Sequence, residues 1–119
     1  YDPNKKLSKQ LEAALAKAHP GINLNTNHIY TFEALLVASD AFKRAGSTDP
    51  KALAEAIRKT NITDNVSTGP GIRFNEKGQN DKLSNSAIQN RDGKLVTVAP
   101  KAIANAKAEF PMKAYDKRG

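Results

Sequence analysis

Leu7, Leu11, Ala14, Leu15 and Ala18 recur at steps of three and four residues, while Lys5, Lys6, Lys9, Gln10, Glu12 and Lys17 fall largely off that stripe. This spacing predicts an amphipathic helix. Asp2 stands in the N-cap position and Pro3 in the first helical position, where a missing N–H costs nothing. His19-Pro20-Gly21 closes the helix. Residues 21–28 form a polar connection in which Ile22 and Leu24 alternate as in a short extended segment. A second helix is expected from about Tyr30 to Ala45. Phe32, Leu35, Leu36, Val37, Ala38, Ala41, Phe42 and Ala45 cover more than one of its faces, which marks it as the most buried element. Gly46 is placed to end it as a left-handed C-cap, with Lys43 and Arg44 in the last turn, where the helix dipole favours cations.

Asp49-Pro50 repeats the start signal, and a third helix follows to about Lys59 with Leu53, Ala56 and Ile57 as its apolar face. Residues 61–71 read as loop, dense in turn formers at Thr68-Gly69-Pro70-Gly71. Ile72-Arg73-Phe74-Asn75 alternates as a short strand closed by the turn Asn75-Glu76-Lys77-Gly78. Ser86–Gln89 and Leu95–Val98 flank Asn90-Arg91-Asp92-Gly93-Lys94, and Asp-Gly between two strand-like runs signals a hairpin. Pro100 ends the second strand. Ala102, Ile103 and Ala106 suggest a short terminal helix, followed by Phe110-Pro111-Met112 and a polar tail. The chain is therefore of the α/β class: three helices, a short strand, a β-hairpin and a short terminal helix.

Composition makes this set of elements incomplete. The 119 residues hold 25 Leu, Ile, Val, Met and Phe against 18 Ala. Apolar burial stabilises by roughly 25 cal/mol per Å², and an alanine face buries little. A chain of this size must bury most of its apolar surface to fold alone. So few strands cannot cover three helices, which points to a partner sheet outside these residues. Tyr1-Asp2-Pro3-Asn4 is not an initiator segment and no signal peptide precedes it, so residues 1–119 are expected to be a single incomplete unit of a longer chain. Exposed helix faces could also drive self-association.

The chemistry-bearing residues are sparse. With no Cys there is no disulfide, thiolate metal site or cysteine nucleophile. The longest apolar run, Ala34 to Ala38, is five residues, far short of a membrane span. His19 and His28 have no third ligand at metal spacing, so no metal is expected. No Ser lies in a Gly-x-Ser-x-Gly elbow. The Gly69-Pro70-Gly71 turn precedes a strand and lacks a following Lys-Ser/Thr, unlike a phosphate cradle. Glu33 and Asp40 would lie two helical turns apart, about 10 Å, too far for paired acid–base work. No catalytic residue or cofactor is assigned, and an enzyme is not expected.

The net charge of +7 raises nucleic-acid binding as an alternative. The basic residues are scattered, and five Arg against 14 Lys is a poor ratio for reading base edges. A soluble basic surface is the plainer reading. Asn61-Ile62-Thr63 and Asn65-Val66-Ser67 match the glycosylation sequon, which matters only in a eukaryotic secreted chain. Tyr30-Thr31-Phe32-Glu33 stands where the second helix is expected to open. Free N–H groups at a helix start suit a ligand carboxylate, so Tyr30 and Phe32 are candidate ligand-binding residues. The core is the competing assignment for both, and the better one for Phe32.

Several segments together resemble a known family. Phe32-Glu33-Ala34-Leu35-Leu36, Ala41-Phe42-Lys43-Arg44-Ala45-Gly46-Ser47 and Asp49-Pro50-Lys51-Ala52-Leu53 are similar to a pattern near the end of periplasmic solute-binding proteins. These are the leucine/isoleucine/valine-type (type I) receptors of ABC importers. Residues 68–78 resemble that family's Gly-x-Ile-x-Phe-Asp turn, residues 89–100 its C-terminal hairpin, and Phe110-Pro111-Met112 its closing segment. The family's aromatic–acid pair is Tyr-Asp, where this chain has Phe32-Glu33.

The resemblance implies the C-terminal part of a two-lobed type I periplasmic binding protein. Its N-terminal part would lie upstream of Tyr1 with most ligand-contacting loops. Such a receptor closes two lobes around an amino acid or an aliphatic or aromatic carboxylate and docks on an inner-membrane ABC permease. It is exported to the periplasm by a signal peptide absent here, and binds no nucleic acid. A ligand-sensing domain of a signalling receptor is a further alternative, since it can share the fold.

Overall fold

Asp2 does not cap a helix. In the computed structural model, which describes residues 1–111, 114 and 117, helix α1 runs Lys6–Ala18. The Asp2 backbone N–H donates to the Val66 carbonyl at 2.9 Å and its carboxylate accepts from the Asn4 N–H at 2.9 Å. Both groups are thereby committed to a turn that tethers the chain to a distant loop, and the helix starts after it. The chain divides into two units, Tyr1–Asn85 and Ser86–Gly119.

In the first unit, Leu7, Leu11 and Leu15 of α1 are half-buried against Leu24, Ile29 and Val66, with Tyr1 and Phe32 at the edges. Ala14 and Ala18, expected on the same stripe, are exposed. Helix α2 spans Thr26–Ala45 and begins four residues earlier than the apolar pattern suggested. Asn25 is the reason. Its side chain accepts from the N–H groups of Asn27 and His28, while His28 Nδ1 accepts from the Asn25 N–H at 3.2 Å. This is a capping box with histidine in the position usually held by Glu or Gln. Gly46, at φ +56°, ends the helix as anticipated.

α2 is less buried than its composition predicted. Ile29 and Ala41 are its buried residues, whereas Leu35 is 64% exposed, Tyr30 58% and Phe42 49%. Helix α3, Pro50–Arg58, packs against α2 and buries Ala56. Its start is the expected one: the Asp49 carboxylate accepts from the Ala52 N–H at 2.9 Å, with Pro50 in the first position. Asp49→Ala is expected to cost about 1 kcal/mol, read as a lower urea midpoint with an unchanged slope.

The stretch read as loop contains a strand. β1, Asn61–Ile62, pairs antiparallel with β2, Ile72–Arg73, with Ile62 opposite Ile72. Two residues are too few to show an alternating pattern, which is why sequence missed β1. The anticipated strand over Ile72–Asn75 is correspondingly short, and Phe74 forms only an isolated bridge to Asn80. The Asn75–Gly78 turn is present, closed by Gly78 N–H to Asn75 C=O at 2.9 Å.

In the second unit, β3 (Ala87–Arg91) and β4 (Lys94–Ala99) form the antiparallel hairpin. Its connection is two residues, Asp92 and Gly93, at φ +50° and +74°. Two positive φ values in succession match the twist of paired strands, so the strands continue further than the five-residue connection read from sequence. The expected terminal helix is a turn instead, in which the Pro100 carbonyl accepts from Ile103 and Ala104. Asn105 explains the change. Its N–H donates to the Thr97 carbonyl at 2.9 Å and its side chain accepts from the Thr97 N–H at 2.8 Å, which draws the chain along β4. Further on, Gln89 and Glu109 exchange two hydrogen bonds, at 2.9 and 3.0 Å. Met112, part of the expected closing segment, lies outside the described residues.

Candidate functional site

Tyr30 and Phe32 belong to the same turn of α2 but lie two positions, about 200°, apart around it. Tyr30 is largely exposed, and Phe32 is half-buried against the Leu24, Ile29 and Val66 cluster. The structure therefore does not bring the two candidates to one surface. Neither stands at the helix entrance, since α2 opens at Thr26. Two of the first N–H groups are taken by Asn25, and the carboxylate site imagined at Tyr30 is in the helix interior.

Tyr30 instead opens an exposed face. Thr31, Leu35, Ala38 and Phe42 follow at the spacing that places residues on one side of a helix, with Tyr30 and Ala34 at its margin. Leu35, Phe42 and Tyr30 carry most of its apolar surface. No charged residue interrupts the run from Tyr30 to Phe42 along this side.

The opposite side of α2 holds the most connected polar group of the unit. Ile29 is buried, and Glu33 follows one turn later on the same face. Glu33 Oε1 accepts from the Ser67 N–H at 2.7 Å, the Val66 N–H at 3.0 Å and Asn65 Nδ2 at 3.3 Å. From the other direction, Lys5 Nζ donates to Asn65 Oδ1 at 2.5 Å, the Gly69 carbonyl at 2.6 Å and the Ser67 carbonyl at 2.8 Å. Asn65, Val66, Ser67 and Thr68 are all buried. Burial holds the Lys5 ammonium below its ordinary value, opposed by the negative charges of Asp2, Glu33 and Asp64. Loops seldom bury their backbone because its polar groups need partners. Here Glu33 serves the donors and Lys5 the acceptors.

Glu33 and Asp40 are thus engaged separately. Glu33 holds the loop, and Asp40 pairs with Arg44 at 2.5 Å. Among the described residues no three His, Cys, Asp or Glu gather as a metal site. His19 follows α1 as its C-cap residue and His28 closes the α2 cap. Sequence reasoning missed the Lys5–Asn65–Glu33 group. Its one legible sign was a carboxylate four residues after Ile29, on the apolar side of a helix.

Among known proteins, the chain is 35% identical over 63 residues to the Leu/Ile/Val-binding protein homolog 8 of Brucella abortus (strain 2308). That match covers 52% of this chain and 16% of that protein. It is 32% identical over 76 residues to the Leu/Ile/Val-binding protein homolog 7 of the same organism, covering 63% of this chain and 19% of that protein. The match thus spans less than a fifth of either relative's length. No family model matches the chain.

Proposed function

We propose that the chain is the C-terminal segment of a two-lobed solute-binding receptor of the leucine/isoleucine/valine type, serving an ABC importer. The observation that carries this reading is the partial similarity to two Leu/Ile/Val-binding protein homologs. The exposed face of α2 agrees with it. Leu35 and Phe42 form an apolar side that needs a partner, and a receptor several times longer than the matched segment would supply one. No described helix is long and apolar enough to cross a membrane.

In this reading two lobes close by a hinge around a small ligand, and the closed form docks on an inner-membrane permease from the periplasmic side. The ligand is an amino acid or an aliphatic or aromatic carboxylate. No bond is made or broken. Tyr30 is assigned to the cleft in this reading because its ring is exposed and its hydroxyl suits a polar ligand group. Phe32 would contribute from behind, through its packing on the apolar cluster.

The test is thermal unfolding of the full-length gene product, with and without a panel of amino acids and aromatic carboxylates. The reading requires a cooperative melt raised by at least one of them, since a ligand that binds only the folded form stabilises it. No shift across the panel overturns the assigned ligand class. Tyr30→Ala in the same protein is expected to weaken the binding compound by about tenfold, measured by calorimetry. Unchanged affinity removes Tyr30 from the site.

A further inference from the structure

Helix α1 packs on the rest of its unit through Leu7, Leu11 and Leu15. Its N-cap residue is Lys5, whose side chain makes no capping bond and reaches across to the loop Asn65–Gly69. Two more bonds run from the same end of α1 to the same place. Asp2 N–H and Ser8 Oγ both donate to the Val66 carbonyl, at 2.9 and 3.4 Å. The loop is held on its other side by Glu33 of α2, which takes the N–H groups of Val66 and Ser67. Asn65 joins the two charges, accepting from Lys5 and donating to Glu33.

We propose that Lys5, Asn65 and Glu33 form a charge-locked latch, which makes α1 and the loop Asn65–Gly69 one opening unit that leaves the α2–α3 pair together. The physical argument is the matching of charge to peptide polarity. A carboxylate meets only donors and an ammonium only acceptors, and bonds of this kind are about twice as strong as neutral ones. Removing the Glu33 oxygens leaves the buried Val66 and Ser67 N–H groups without that acceptor, and removing the Lys5 ammonium leaves Asn65 Oδ1 and the Gly69 carbonyl without that donor, which costs more than each bond itself contributed. Val66 then loses the position in which its carbonyl receives Asp2 and Ser8, so α1 is released with it. The second half of α2 packs on α3 and is tied by Arg44, which bonds Asp40 within the helix, to Thr60, two residues past the end of α3. They are outside the latch. This proposal concerns residues of this chain alone and does not depend on the receptor reading.

Glu33 is a positioning residue here, and the readout is amide hydrogen exchange followed by NMR. In Glu33→Met and in Lys5→Met, the amides of Val66, Ser67 and α1 are expected to exchange at least about tenfold faster, by a common factor. Amides of α3 and of residues 36–45 are expected to change by less than about twofold. Acceleration confined to Val66 and Ser67, with α1 unmoved, overturns the latch. So does uniform acceleration through α3, which would mark a merely global loss of stability. The unmodified chain gives a measurement that needs no variant to fold. At low urea, α1 amides and those of Val66 and Ser67 should converge on one opening rate, faster than that of α3. Separate rates for α1 and the loop overturn the proposal.

Discussion

Gly69→Ala is expected to be among the most damaging single substitutions in the chain, at about 4 kcal/mol or loss of folding altogether. Gly69 sits at φ +102°, a conformation that residues with a Cβ rarely adopt. A Cβ built there falls well inside 3.0 Å of the Lys82 carbonyl oxygen, and it also meets the Ser84 N–H. These obstacles are backbone atoms, so no side chain can swing aside to relieve the clash. Gly69 also lends its carbonyl to Lys5, and the adjacent Thr68 hydroxyl bonds the Ser84 carbonyl. A shift at Gly69 therefore disturbs both sides of the turn. Gly78→Ala supplies the comparison: it has a positive φ, +74°, with open space around it. Its cost should be limited to the conformational strain, about 1 kcal/mol. Urea unfolding of the two variants side by side measures the difference. Equal midpoints would show that steric closure at Gly69 is not what restricts it.

The second large effect contrasts two positions on one helix. Ile29→Ala removes a side chain that is 3% exposed from the Leu24 and Val66 cluster, and about 3 kcal/mol should be lost. Leu35→Ala, a turn and a half further along, should cost under about 0.5 kcal/mol in the isolated chain, because Leu35 is already 64% exposed. In the full-length receptor proposed above, Leu35 would be covered. Its truncation should then cost about as much as that of Ile29, roughly 3 kcal/mol. The measurement is denaturant unfolding of each variant in both contexts. A Leu35→Ala change as mild in the longer protein as in the chain means that another surface, not this one, meets the rest of the molecule.

Much of the helical part was legible because its signals are local. Asp49-Pro50 and Gly46 mark the ends where the structure has them, since capping needs only a side chain and its neighbouring N–H groups. Leu7, Leu11 and Leu15 were visible from spacing alone. The misreadings share a physical origin in bonds that span distance. Asp2 looks like an N-cap until Val66 takes its N–H, 64 residues away. Residues 102–106 look helical until Asn105 is drawn to Thr97. β1 is two residues long, and its identity lies in its partner rather than in its own pattern. The start of α2 was misplaced for a different reason. Its capping box uses His28 where Glu or Gln is usual, so no box signal stands at Asn25, and an apolar-periodicity criterion passes over polar residues such as Thr26 and Asn27. The same bias placed Tyr30 at a helix entrance it does not occupy. The latch was hidden because Lys5 and Glu33 each read as ordinary surface charges on amphipathic helices. Only the fold shows that both reach one buried loop.

The buried state of Asn65 bears on how the protein should be produced. Asn65-Val66-Ser67 is a sequon, and so is Asn61-Ile62-Thr63. In a eukaryotic secretory host an oligosaccharide is attached to sequons as the chain emerges, before burial protects them. At Asn61, which is exposed, a glycan would project into solvent. At Asn65 it would occupy the amide that bonds Glu33 and force a bulky polar group into a site with no exposed surface. Material secreted from yeast or mammalian cells should therefore misfold in proportion to its occupancy at Asn65. Bacterial expression avoids the damage at its source, whereas Ser67→Ala would destroy the sequon but also remove the buried hydroxyl that accepts from Asn65 Nδ2 at 3.0 Å.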